Sequence, residues 1–208
     1  AVIRSTGARR VLDPFAGSGT TLLAADALAV SSLGLEAHPF VARIGAAKLS
    51  WELDVATFRA AGDALLRRAQ VPIAALPVPP PAPELLAKCY GEQALAELYS
   101  LRDAYVALAP ELPAAVQSLL FLALTAILRE CSYVGTAQWQ YVLPNKRKKK
   151  VLPPYDAFAG RIDMMAADMA LFQTRVGHSQ AMLARGDARE IHLHATDKFD
   201  LLLTSPPY

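Results

Sequence analysis

The chain has 208 residues, of which 53% are hydrophobic and 19% are charged. This much apolar material excludes a disordered chain, and the length corresponds to one domain or to one domain with an insertion. The formal net charge is +2, which does not by itself indicate a nucleic-acid partner. Five basic residues are consecutive at 146–150, and without them 16 basic residues face 19 acidic ones.

Further classes of protein are excluded by the cysteines, the histidines and the longest apolar run. Cys89 and Cys131 are too few for a disulfide framework, which predicts a reducing, cytoplasmic compartment. His192 and His194 are two residues apart without an evident third ligand, so no metal site is expected. The run at 114–128 is shorter than the roughly 18–20 residues that span a bilayer, so we expect a buried helix and no membrane association.

In the first 50 residues, predicted strands and helices alternate. Strands are predicted at 10–15 and 31–36, and helices at 21–29 and 39–51. A β-α-β-α order is typical of an open parallel sheet.

The middle of the chain predicts helices without intervening strands. Residues 72–83 contain six prolines, which predict a stiff extended connector. An irregular segment is expected at 132–154, and helices are expected at 56–69, 92–108, 114–130 and 155–175. Strand character returns at 181–184 and 198–203.

The predicted fold is therefore α/β, with a Rossmann-like, open and mainly parallel sheet that carries a helical insertion. Residues 1–52 and 179–208 are assigned to the sheet, and 53–178 to the insertion. Asp13 and Ser205 are 192 residues apart, whereas three strand–helix units of about 30 residues each would separate them in a compact sheet. About 100 residues are additional, and they match the helical middle.

A glycine-rich turn follows the first predicted strand. Gly17-x-Gly19 before a helix places backbone N–H groups at the carboxyl end of the sheet, where an anionic group can bind. A P-loop would need a lysine where Thr20 and Thr21 follow Gly19, and a dinucleotide fingerprint would need a third glycine where Leu22 stands. S-adenosylmethionine is the third candidate ligand, and a turn without any ligand is the alternative to all three.

Two carboxylates follow later strands. Glu36 ends the second predicted strand, where a carboxylate can accept hydrogen bonds from both ribose hydroxyls. Asp187 follows the third, where it could accept a hydrogen bond from an adenine amino group. A solvated loop glutamate and an ordinary turn aspartate are the corresponding structural alternatives.

The chain ends in Thr204-Ser205-Pro206-Pro207-Tyr208, directly after an apolar strand. Two prolines fix the backbone and remove two N–H donors, which leaves carbonyl acceptors free. A hydroxyl, free carbonyls and an aromatic ring suit a flat heterocycle that bears an amino group. A proline turn that simply closes the strand is the alternative.

Together, these two segments resemble the DNA methyltransferases that methylate base amino groups. The first segment is similar to the cofactor motif of this family: Asp13, Pro14, Phe15, Ala16, Gly17, Ser18, Gly19, Thr20 and Thr21. The second, Ser205, Pro206, Pro207 and Tyr208, is similar to its catalytic tetrapeptide. Glu36 and Asp187 stand where the ribose and adenine contacts of the family belong. The resemblance covers about 1–52 and 179–208.

The resemblance implies transfer of a methyl group from S-adenosylmethionine to an exocyclic amine of a base flipped out of duplex DNA. Ser205 and Pro206 would accept hydrogen bonds from the amino group, and Tyr208 would stack on the base. A serine at the first position favours cytosine N4 over adenine N6. Methylation of cytosine C5 is rejected, because neither Cys89 nor Cys131 follows a proline.

Partners follow from the same resemblance. The basic run, which comprises Lys146, Arg147, Lys148, Lys149 and Lys150, could contact DNA phosphates or form a solvated loop. A partner restriction enzyme is possible for this family. The insertion is a candidate for DNA recognition or for packing, although recognition segments of the family commonly fall elsewhere. Three further strands complete the family's sheet, so we expect the chain to continue after 208 or another chain to supply the rest. We expect the 208 residues alone to bind cofactor weakly without methylating.

Two other functions remain open. An RNA base-amine methyltransferase, for example one acting on guanine N2, would use similar motifs. An inactive cofactor-binding interaction module would retain the fold without turnover.

Overall fold

In a computed structural model, residues 2–76, 84–134, 148, 150–176, 178–193 and 198–204 are described. Four strands form one sheet, and all three pairings are parallel. The strands are β1 (Arg10–Asp13), β2 (Ser31–Glu36), β3 (Ala181–Arg185) and β4 (Leu201–Leu202). Their order across the sheet is β3-β2-β1-β4. The predicted α/β class with an open parallel sheet is confirmed.

Eight α-helices are present in the described part of the chain. They are α1 (Val2–Thr6), α2 (Thr20–Asp26), α3 (Pro39–Lys48), α4 (Val55–Ala69), α5 (Glu84–Cys89), α6 (Glu92–Leu108), α7 (Ala114–Ile127) and α8 (Pro154–Gln173). None of these helices is long and apolar enough to cross a membrane.

The chain divides into two compact units, of which the first contains the whole sheet. This sheet unit comprises residues 1–55 and 167–208, whereas the sequence assigns it 1–52 and 179–208. The sheet unit thus includes the last part of α8, which the sequence assigns to the insertion. The reason is that Gln173 of α8 donates hydrogen bonds to the carbonyls of Trp51 and Leu53, at 2.7 and 2.9 Å. Phe172 also packs edge-on against the Trp51 ring, with 4.7 Å between ring centroids.

The second unit, residues 56–166, is helical in its described part. Phe58 of α4, Leu101 of α6, Leu120 of α7 and Phe158 of α8 are all fully buried there. Each such side chain contributes about 1.5–3 kcal/mol by leaving water. The carbonyl of Ala69, at the end of α4, accepts hydrogen bonds from the hydroxyls of Ser100 and Tyr155. This burial and these hydrogen bonds make the described part of the insertion a structured unit.

Several element boundaries differ from the sequence prediction for local reasons. The helix expected at 21–29 ends at Asp26, because Ala29 adopts a positive φ of 54° and the N–H of Val30 donates back to Ala25. The strand expected at 198–203 is reduced to two residues, and Asp200 instead accepts hydrogen bonds from the N–H groups of Arg9 and Arg10. This side chain aligns β4 beside the beginning of β1.

Candidate functional site

The turn after β1 brings the glycine-rich segment to the carboxyl end of the sheet. Gly17 and Gly19 have φ values of +54° and +79°, which residues with a side chain rarely adopt. The N–H of Gly19 donates to the carbonyl of Ala16 at 2.9 Å. Asp13 is buried, and its Oδ1 accepts a hydrogen bond from the N–H of Phe15 at 3.1 Å. Asp13 therefore stabilises the turn from its buried side.

The turn is open beside Gly17. A Cβ atom at Gly17 would meet no atom within 4 Å, so a ligand can approach this backbone closely. The other predicted residues differ in exposure: Pro14, Ala16 and Gly19 are buried, Ser18 and Thr21 are half-buried, and Phe15 and Thr20 are exposed.

Glu36, at the end of β2, is fixed by two backbone donors. Its Oε2 accepts a hydrogen bond from the N–H of Gly17 at 3.0 Å, and its Oε1 accepts one from the N–H of His38 at 2.7 Å. An ionised carboxylate offers about four acceptor positions. Glu36 can therefore orient the glycine turn and still accept hydrogen bonds from two hydroxyl groups.

Two further glycines, neither of them predicted as a site residue, set the position of the turn. A Cβ on Gly34 of β2 would lie 2.7 Å from the Ala16 Cβ. A Cβ on Gly45 of α3 would lie 3.1 Å from the Gly17 carbonyl oxygen and 2.6 Å from Leu183 Cδ1. The only sequence indication was a glycine inside a strand and one inside a helix, where glycine is otherwise unfavourable.

Asp187 follows β3, and its carboxylate is paired with the guanidinium group of Arg189. The closest contact joins Arg189 Nη2 to Asp187 Oδ2 at 2.6 Å. The hydrogen bonds from Arg189 lower the pKa of Asp187 to about 2. Gly186, next to Asp187, donates its N–H to the Glu36 carbonyl at 3.2 Å, which ties the two carboxylate-bearing segments together. Asp187 is predicted from the sequence as a ligand contact, whereas its pairing with Arg189 is visible only in the structure.

The end of β4 lies at the same edge of the sheet. Leu12 pairs with Leu202, and the N–H of Leu203 donates to the Leu12 carbonyl at 2.9 Å. Because β1 and β4 are parallel neighbours, Thr204 leaves the sheet at the edge where the glycine turn begins. The predictions for Ser205, Pro206, Pro207 and Tyr208 lie outside the described residues.

Four segments therefore share one edge in a fixed linear order. Asp187 follows β3, Glu36 ends β2, the glycine turn follows β1, and Thr204 follows β4. Neighbouring strands lie about 4.8 Å apart, so adjacent segments can contact one ligand. The chain order also reverses between β1 and β4, and ligands of open α/β sheets bind outside the carboxyl ends of the strands at such a point.

The basic run can be described only in part. Lys148 is half-buried and Lys150 is exposed, whereas Lys146, Arg147 and Lys149 lie outside the described residues. The Lys148 ammonium group donates to the carbonyl of Arg129, just after α7, and its backbone N–H donates to the Tyr133 carbonyl at 2.8 Å. Lys148 thus stabilises the end of α7, and Lys150 is the more accessible of the two described lysines.

Comparison of the chain with protein-family models, with curated proteins and with solved structures found no match. Within the described ranges, no group of three or more His, Cys, Asp or Glu side chains is placed to hold a metal ion.

Proposed function

We propose that this protein is an S-adenosylmethionine-dependent DNA methyltransferase that acts on an exocyclic base amine, with cytosine N4 favoured over adenine N6. One observation carries the proposal. Along the carboxyl edge of the sheet, the segments to which the sequence assigns contacts with adenine, ribose and the methionyl group follow β3, β2 and β1, and Thr204, which directly precedes the predicted catalytic tetrapeptide, follows β4. The chemical groups of S-adenosylmethionine follow the same order, from its adenine through its ribose to its methionyl group and the methyl group that is transferred to the base.

The described residues fit this cofactor. The space beside Gly17 accommodates close approach of a ligand to the backbone. The Glu36 carboxylate keeps acceptor capacity for two ribose hydroxyls, and its bonds to Gly17 and His38 hold it in place. Asp187 offers a carboxylate one strand further along the edge. When bound, S-adenosylmethionine would supply a methyl group on a positively charged sulfur; the methyl group would pass to the base nitrogen, which would release one proton to water.

The chain's own residues would act by positioning. An exocyclic amine is a weak nucleophile because its lone pair is delocalised into the ring. Hydrogen bonds from the amino group to the Ser205 hydroxyl and the Pro206 carbonyl would favour a tetrahedral nitrogen, with its lone pair directed at the methyl group. Pro207 would stiffen this loop, and Tyr208 would stack on the flipped base. No covalent intermediate with the protein is required.

DNA is the proposed partner of the protein. The run at 146–150 is the densest positive charge in the chain, and Lys150 is exposed. Phosphate contacts from this run would add salt-dependent affinity without sequence preference.

The cofactor site is tested by Glu36→Gln, with S-adenosylmethionine binding measured by calorimetry. The amide turns charge-assisted hydrogen bonds into ordinary ones and directs an NH₂ group toward a backbone N–H donor. We expect about 30-fold weaker binding, equivalent to roughly 1 kcal/mol for each of two hydroxyl contacts. The matched control is Glu111→Gln, an exposed glutamate of the helical unit, which should bind like the unaltered protein. Equal binding by the two variants would contradict the proposed site.

The acceptor is tested separately. Methyl transfer from labelled S-adenosylmethionine to DNA or to tRNA, measured with the native protein, distinguishes the proposed substrate from RNA. Digestion of the labelled DNA to nucleosides then distinguishes N4-methylcytosine from N6-methyladenine. Label that appears only in tRNA would replace the DNA proposal with the RNA alternative.

A further inference from the structure

Arg189 donates hydrogen bonds to both oxygens of the Asp187 carboxylate. The backbone N–H of Arg189 donates to Oδ1 at 2.9 Å, and its Nε lies 3.0 Å from both carboxylate oxygens. Nη2 donates to Oδ2 at 2.6 Å. A carboxylate has about four acceptor positions, and three N–H groups of Arg189 take up most of them, with the Nε–H shared between the two oxygens. An additional amino group therefore competes with the guanidinium group for this carboxylate.

This pairing follows from the local chain and is easily opened. The two residues are separated by Ala188, where a short 3₁₀ segment begins (Ala188–Leu193), so the arginine can bend back to the carboxylate. The side chain of Arg189 is 89% exposed and that of Asp187 is 36% exposed. Water competes for both partners, so the ion pair is weak and the Asp187 carboxylate can be released from it.

We propose that Arg189 is an internal competitor that the adenine amino group of the cofactor must displace from Asp187; this inference rests on the proposed function. The competition lowers the apparent affinity in proportion to the fraction of time for which the carboxylate is free. For an exposed pair this corresponds to an affinity about two- to five-fold below that of a free aspartate. Arg189 thereby tunes cofactor affinity and makes it dependent on ionic strength.

The experiment uses the 208-residue protein and calorimetric titration with S-adenosylhomocysteine, which lacks the sulfonium charge. Arg189→Ala should bind about two- to five-fold more tightly than the unaltered protein at low salt. The difference should shrink as salt is added, because exposed charges are screened. Arg189→Lys keeps the positive charge but cannot span both carboxylate oxygens, so it should also bind more tightly than the unaltered protein.

A double-variant cycle identifies Asp187 as the target of the competition. In an Asp187→Asn background, Arg189→Ala should leave affinity unchanged, because the charged acceptor is already gone. The pairing itself has a readout without ligand: the pKa of the Asp187 carboxyl, about 2 in the pair, should rise toward 3.8 in Arg189→Ala when followed by NMR. An unchanged pKa would show that the pair does not form in solution.

The outcomes separate the two proposals. If the unaltered protein binds the probe and Arg189→Ala binds equally or more weakly, the competition is refuted and the cofactor site stands. If neither binds at any salt concentration, the cofactor site is refuted together with the competition. Tighter binding of Arg189→Ala that persists in the Asp187→Asn background would show that Arg189 acts through some other group, which also overturns the inference.

Discussion

Asp26 is a buried carboxylate that connects three parts of the sheet unit. It lies in the last turn of α2 and is 1% exposed. Its Oδ2 accepts hydrogen bonds from Trp51 Nε1 at 3.1 Å and from Ser179 Oγ at 2.6 Å, and its Oδ1 accepts one from the Gln180 N–H at 3.0 Å. Trp51 follows α3 and Ser179 precedes β3, so Asp26 joins the segments between which residues 56–166 are inserted.

Replacement of Asp26 by asparagine should destabilise the sheet unit by about 2 kcal/mol. The amide oxygen can replace only one carboxylate oxygen, and the NH₂ group must then face one of the three donors. One charge-assisted hydrogen bond is lost, which costs about 1.5–3 kcal/mol. Asp26→Ala removes every acceptor and should cost about 3–4 kcal/mol. The cost is limited because Ser179 is half-buried and Gln180 is exposed, so solvent can replace part of the lost hydrogen bonding.

Urea unfolding followed by circular dichroism measures these costs, and the indole N–H resonance of Trp51 reports the contact directly. The control is Asp168→Asn, the same change at an exposed position of α8 within the sheet unit. It should change stability by less than about 0.5 kcal/mol. If Asp26→Asn costs no more than the control, or if Asp26→Ala leaves the Trp51 resonance in place, the hydrogen-bonding argument is wrong.

Two other predictions concern the glycine turn and the insertion. Gly45→Ala should weaken S-adenosylmethionine binding and lower stability relative to Gly160→Ala, because its Cβ meets the Gly17 carbonyl at 3.1 Å whereas the Gly160 position in α8 is open. Both changes gain about 1 kcal/mol of helix propensity, so calorimetry and urea unfolding of the pair isolate a steric cost of about 1–3 kcal/mol, and equal effects would contradict it. Replacing residues 56–166 by a short Gly/Ser linker should leave the sheet unit folded, because Gln173 already holds the flanking segments together. Loss of cooperative unfolding or of the Trp51 indole resonance would refute this.

The sequence predicts most of the elements that carry a clear periodicity. The strand at 31–36 and the helix at 92–108 have the expected bounds. The short helices α1 and α5 were not predicted. Five or six residues carry too little periodicity to indicate a helix, and helices of this length depend on tertiary contacts. β4 was predicted too long, since an apolar run does not show where backbone pairing with β1 begins.

Residues of the candidate site could be predicted where the residue type has one common structural or binding role at that position. Positive φ at Gly17 and a carboxylate at the end of β2 follow from the turn and the strand pattern. Gly45 has its role only because α3 packs against the turn, and the pairing of Asp187 depends on how the chain bends after β3. These are contacts between side chains or between distant backbones, which local sequence patterns do not encode.

The position of the insertion in the sequence explains why the contacts at the carboxyl edge of the sheet are retained. Ser32 to Glu36 pair residue by residue with Ala181 to Arg185, although the insertion separates β2 from β3 in sequence. The register is maintained because Asp26 binds both sides of the insertion point, at the beginning of β3 rather than at the carboxyl edge. An insertion between β1 and β2 would instead lengthen the connection that lets Glu36 accept the Gly17 N–H. Residues added between α3 and β3 leave that hydrogen bond intact, so the proposed ribose and methionyl contacts remain together.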